Sequence, residues 1–231
     1  GRLDRVLRFG GPGLQIAADV AAGPGAEVWL SGRYQQLSIP PGGEPIPAEG
    51  GDFDGFVLRL DRRLEPVWLR RVPAPEGFAA PTALAVGPGG ESVLALRFER
   101  RLDADPLELR VPGQGAAVLR LDADGQTAGG FAVGDDEAQL QLSDADADPQ
   151  GTFHLAGSLS GAVQLGGRGL RSRGVDAVWL RLGPGGGVSG FGLLGGPAAD
   201  RARSVAADDR GRTWLTGTFE DNLPVLSRRV F

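Results

Sequence analysis

A strand–turn–strand unit returns four times along this chain, and any fold proposed for it must first accommodate that period. The copies are Val20–Gly32, Leu84–Leu96, Ala145–Gly157 and Val205–Gly217, with starts spaced by 64, 61 and 60 residues. Each consists of a short apolar run, a turn rich in Gly, Pro or Asp, and a second apolar run. A second pattern keeps nearly the same interval: Asp54–Asp61, Gly115–Asp122 and Asp176–Gly183 are spaced by 61 and 61 residues. A third marker, Gly10-Gly11-Pro12, returns as Gly195-Gly196-Pro197 ahead of the last unit.

These units read as strands. They are short, rich in β-branched and aromatic residues, and bounded by glycine or proline, and none reaches the ten or so residues that a helix needs. Glycine (39) and proline (17) are abundant, yet 41% of the chain is hydrophobic, which fits many tight turns between short strands rather than disorder. Runs such as Val28-Trp29-Leu30 and Val178-Trp179-Leu180 are apolar at successive positions. Such a strand presents an apolar side chain to each face of its sheet, so both faces need cover. The expected fold is therefore an all-β propeller of four-stranded blades, in which each blade is sandwiched between its neighbours.

The string Val205-Ala-Ala-Asp-Asp-Arg-Gly-Arg-Thr-Trp-Leu-Thr-Gly217, with Asp54-Gly-Phe-Val-Leu-Arg-Leu-Asp61 and its counterparts, resembles the bacterial SBBP-type β-propeller repeat. The likeness touches nearly the whole chain at low identity. Leu96 departs from the family's closing glycine, and Arg59, Arg120 and Arg181 stand where the family tends to have lysine. The resemblance implies a scaffold of secreted or surface bacterial proteins with no general catalytic activity. On this reading residues 1–231 form one propeller region, with a trailing strand at 1–11, repeats at about 12–72, 73–133 and 134–194, and an incomplete repeat at 195–231. One strand is lacking at the seam, which favours a segment of a larger ring over a closed ring of four blades.

Composition narrows the function classes. Cysteine is absent, which removes disulfides, thiolate metal sites and a cysteine nucleophile. All 24 basic residues are arginine, but they form no basic stripe and the net charge is −5, so duplex nucleic acid is not an expected partner. No apolar run approaches the roughly 18 residues of a membrane span.

Each candidate site has a plain structural alternative. His154, the one histidine, shares its register with Trp29, Val93 and Trp214, which argues for packing over metal or base chemistry. Asp144, Asp146 and Asp148 are spaced like the start of a calcium loop, but Pro149 and Leu155 fall where that loop needs glycine and glutamate. Arg59, Arg120 and Arg181 recur at one register and could draw an anion, or pair with Asp54, Asp61, Asp122 or Asp176 between blades. Gly183–Gly187 and Gly166-Gly167 open no helix and precede no lysine, so neither is a phosphate loop. Gly157-Ser-Leu-Ser-Gly161 has leucine where a nucleophile elbow needs serine. Trp29, Trp68, Trp179 and Trp214 lie in apolar strands and are expected in the core.

The expectation is a non-catalytic scaffold or binding module, secreted, periplasmic or at the cell surface, with no cofactor and no metal. Its partner would be a protein or other extracellular ligand, met through the loops Leu37–Gly51 and Arg97–Pro112. Two rivals are a purely structural spacer and a propeller-based hydrolase or lyase. The enzyme would need carboxylates gathered at the central channel, for which Asp19, Asp144 and Asp146 are the group to inspect.

Overall fold

The computed structural model describes residues 6–8, 10–11, 13–37, 46–49, 52–135 and 137–220. Over these residues the protein is all-β; the one helical element is a short 3-10 turn at Pro24–Ala26. The first sheet holds β1 (Gln15–Gly23) and β2 (Glu27–Tyr34), followed by a small side pair, β3 (Gln36–Leu37) with β4 (Ile46–Pro47), and then β5 (Asp54–Leu60) and β6 (Pro66–Val72). Its spatial order is β1-β2-β5-β6. The second sheet is β7 (Ala79–Val86), β8 (Ser92–Ala104), β9 (Leu107–Leu121) and β10 (Thr127–Val133). The third is β11 (Gln139–Ala147), β12 (Phe153–Leu165), β13 (Arg168–Leu182) and β14 (Val188–Leu194). A two-stranded sheet, β15 (Arg201–Ala207) with β16 (Thr213–Thr218), ends the described chain. All pairings within these sheets are antiparallel.

The hairpin turns share one chemistry. The carboxylates of Asp61, Asp122, Asp148 and Asp208 each accept the backbone N–H groups of the residues two and four places on, at 2.8–3.0 Å. The fourth residue of each turn takes a positive φ: Leu64 (62°), Gly125 (79°), Gly151 (79°) and Gly211 (70°). Glycine suits that conformation because no Cβ clashes there. The runs 87–91 and 183–187 keep the same backbone bonds with glycine at the first position.

Alternation along the middle strands builds the cores. Trp29, Val57 and Val72 of the first sheet meet Leu84, Leu94, Leu96, Leu119 and Leu121 of the second. The opposite face of the second sheet is small (Ala83, Ala85, Ala95, Ala116, with Val93 and Val118) and receives Leu140, Leu142, Phe153, Leu155, Val178 and Leu180 of the third. Ala156 and Ala177 carry the third sheet onto Ala202 and Val205 of the fourth. Consecutive residues thus enter different cores, as with Val93 and Leu94 or Val57 and Leu58. The first strands β1, β7, β11 and β15 lie side by side in that order, and no closed ring forms among the described residues.

One expectation changes here. Arg97–Pro112 is no irregular loop, because β8 and β9 continue as a paired hairpin through Ala104↔Leu107. Its charge-rich composition hid the strands: Arg97, Arg100, Arg101 and Asp103 are at least partly exposed, while Phe98, Leu102, Ala104 and Val111 between and beyond them are buried in the core shared with the first sheet. Of Leu37–Gly51, only Leu37 and residues 46–49 are described, and Leu37 pairs with Ile46; residues 38–45 and 50–51 lie outside the described residues, as does Pro12 of the first Gly-Gly-Pro marker.

A Cβ added at Gly125 would stand 2.8 Å from the Trp68 ring, and φ there is +79°. Gly125→Ala should therefore lower stability by about 2 kcal/mol in urea unfolding. Gly185→Ala, where a Cβ meets nothing within 4 Å, should be near neutral.

Candidate functional site

Each first strand carries a bulge at one register: between Ala17 and Asp19, Pro81 and Ala83, Leu142 and Asp144, and Ala202 and Ser204. The extra residues are Ala18, Thr82, Ser143 and Arg203. A bulge bends its strand and re-aims the side chain it carries. All four line one cavity of about 470 Å³ where the four sheets converge. The wall is completed by neighbours on the first strands, among them Arg201, and by Arg33, Arg97 and Ser158 from the second strands. Arg33, Arg97 and Ser158 again share a register, one to each of the first three sheets.

Among the described residues, the lining holds four arginines and no carboxylate. Arg33 lies over the Phe53 ring at 4.9 Å, and Arg97 donates to Gln114 Oε1 at 3.0 Å. None of the four forms an ion pair with a described carboxylate. Three arginines outside the cavity are paired: Arg59 with Glu27, Arg71 with Glu49, and Arg110 with Glu76 and Glu108.

The carboxylates considered for catalysis serve the sheet edges instead. Asp19 Oδ2 accepts the N–H of Leu84 on the next sheet at 2.8 Å. Asp144 Oδ2 does the same for Val205 at 2.8 Å and also accepts the Ser204 hydroxyl. Asp146 Oδ2 accepts from Ala207 at 2.8 Å. An inner strand leaves one row of backbone donors unpaired, and these carboxylates satisfy members of that row across the gap. Asp19 and the Asp144–Asp146 pair are latches on different sheet junctions, not one constellation.

His154 is fully buried between the third and fourth sheets, with Nδ1 2.7 Å from Thr213 Oγ1 and Nε2 3.3 Å from Asp148 Oδ2. Burial works against the Asp148 charge. The Thr152 N–H, the His154 ring and the Gln150 N–H together outweigh that effect and leave the carboxyl below its usual range. Asp208 lies lower still, at about 2, held first by the Arg212 N–H against partial burial and then by the Arg212 guanidinium. Asp148 is therefore a turn residue and His154 a tie between sheets. Among the described residues, no group of three or more His, Asp or Glu is placed to hold a metal ion.

Arg59, Arg120 and Arg181 do not line the large cavity. Arg59 makes a two-pronged pair with Glu27 at 2.7 and 3.0 Å and donates to the Ala123 carbonyl of the next sheet at 2.7 Å. Arg120 sits in a crevice of about 50 Å³ against Gly185 and Gly186 of the third sheet. Gly183–Gly187 is a hairpin turn, Gly166-Gly167 turns between β12 and β13, and Gly157–Gly161 runs within β12.

Trp214 corrects the expectation that all four tryptophans are core residues. It is 57% exposed, whereas Trp29, Val93 and His154 at its register are fully buried. The reason is its face: Trp214 points away from the third sheet, and no described sheet covers that side. Arg33, Arg201 and Arg203 were missed in the sequence, and Arg97 entered only as the start of the expected partner-facing loop Arg97–Pro112. The even spacing of Arg33 and Arg97 was available as a signal, but the bulge that places Arg203 leaves none.

The molecule is thus an all-β stack of antiparallel sheets with a cationic cavity at their convergence. No protein-family model matches the chain, and no curated protein matches it. No helix among the described residues is long and apolar enough to cross a membrane.

Asp144→Ala should strip partners from the Val205 N–H and the Ser204 hydroxyl, lowering stability by about 1–3 kcal/mol. Amide exchange should quicken at Val205 and not at Leu94 of the second sheet. Asp148 and Asp208 both have folded pKa values below the unfolded value of about 3.9, so their contribution is full above that pH and is lost as pH falls towards 2. Urea midpoints should drop from pH 5 to pH 2.5, and the drop should shrink in Asp208→Asn.

Proposed function

We propose that the four sheets are blades of a β-propeller and that the chain is a non-catalytic binding module whose ligand enters the cavity at their convergence. The observation that carries this reading is the shared bulge, which turns Ala18, Thr82, Ser143 and Arg203 from four separate sheets into one cavity. Radial stacking, four-stranded meanders and first strands set side by side are the marks of that architecture. A cavity of about 470 Å³ also lies within the range typical of ligand sites. The resemblance to the SBBP-type repeat points the same way and adds a secreted or surface bacterial setting. Against the enzyme reading, Asp19, Asp144 and Asp146 are engaged as edge latches.

One observation favours a further role as a stacking spacer. Val20 is 63% exposed and Trp214 57% exposed, whereas Leu84 and Val205, at the register of Val20, are 2% and 6% exposed. The outer faces of the stack thus carry apolar residues at positions that the inner junctions bury.

The test is array screening of the folded protein against glycans and peptides, beside an Ala18→Trp variant. Ala18 is exposed at the cavity wall, so the indole should fill the mouth without disturbing a core. Capture should fall at least about tenfold in the variant. Hits bound equally well by both proteins would place the ligand elsewhere and end this reading.

A further inference from the structure

Resting on that reading of the cavity, we propose that its ligand is a small polyanion bearing two or more carboxylate, sulfate or phosphate groups. The chain as a whole is acidic, with 29 Asp and Glu against 24 Arg, yet this one concavity gathers Arg33, Arg97, Arg201 and Arg203 with no acidic residue among its described lining. Guanidinium groups left together repel one another, and an arrangement of this kind is relieved by an anion that bridges them.

The four do not act alike. Arg33 is steadied by the Phe53 ring and Arg97 by Gln114, so both are held in place while keeping donors free. The Arg201 and Arg203 side chains have no hydrogen-bond or ion-pair partner among the described residues. They approach from the fourth sheet, while Arg33 and Arg97 come from the first and second. An anion with charges at separate points can thus be gripped from two sides, which a single small anion cannot exploit. Ser143, Ser158, Thr82 and Gln141 add neutral polar groups to the same wall. The carboxylate joined to Ser204 beside Arg203 is Asp144, and it is committed to the Val205 N–H across the sheet gap rather than to the arginines.

Inorganic tripolyphosphate is a suitable probe, titrated calorimetrically into the intact chain at low salt and at physiological salt. One-to-one binding is expected, weakening several-fold with salt because the charges are solvent-accessible. Arg201→Ala/Arg203→Ala should weaken it on the order of tenfold or more, the scale of a lost charge-assisted hydrogen bond. Arg62→Ala, an exposed arginine in a turn away from the cavity, should stay within about twofold. Circular dichroism of the double variant should match the parent, and Arg203→Glu, at an exposed position, supplies a second variant if it does not.

Absence of binding at low salt, or equal losses in Arg62→Ala and the double variant, would overturn the polyanion. If Ala18→Trp still abolished capture of a neutral ligand, the cavity would remain the binding site and only its proposed anion preference would fall. If tripolyphosphate bound Ala18→Trp as tightly as the parent, the anion would lie outside the cavity and this inference would be wrong.

Discussion

The structure depends on burial between sheets, because no sheet here has a core of its own. Successive residues of each middle strand face opposite ways, and both directions carry apolar side chains: Val57 and Leu58, Val93 and Leu94, Leu155 and Ala156. A sheet built this way exposes one apolar face or the other until neighbours arrive on both sides. The neighbours also differ in size. Alanines on one face of the second sheet pack against Leu140, Leu142 and Phe153, whereas Trp29 and Trp68 stand in the junction before it, packed edge to face at 4.9 Å.

Polar chemistry then finishes what burial starts. The aspartates at the head of the turns hold the hairpins tight, and those on the first strands reach across to the next sheet's unpaired backbone donors. His154 does similar work deep in the third junction, between Asp148 and Thr213. Several carboxylates thus serve turns and edges, while Arg33, Arg97, Arg201 and Arg203 gather at one cavity where the sheets meet.

Much of the architecture was legible beforehand for a simple reason. Strand, turn and strand-face signals are local, and their repetition at one interval multiplies them. The runs around Trp29, Val93, His154 and Trp214 share one register without a gap, and each lies in the second strand of its sheet. The failures were equally physical. Arg97–Pro112 looks like a loop because charged residues on its less buried side interrupt the apolar run, although Phe98, Leu102 and Ala104 still enter the core. Trp214 looks like a core residue because periodicity reports which face a side chain takes and says nothing of whether that face is covered.

The amino-acid sequence alone determined that the chain forms short antiparallel strands in periodic groups with apolar residues on both faces, since alternation, turn residues and period are properties of neighbouring positions. Only the tertiary structure decided which charges meet. Arg33, Arg97, Arg201 and Arg203 are separated by as many as 170 residues, and one-residue bulges at four distant points aim the first strands at a common space. A bulge reverses the facing of every residue beyond it, and the spacing of residues along a chain does not record where one will fall.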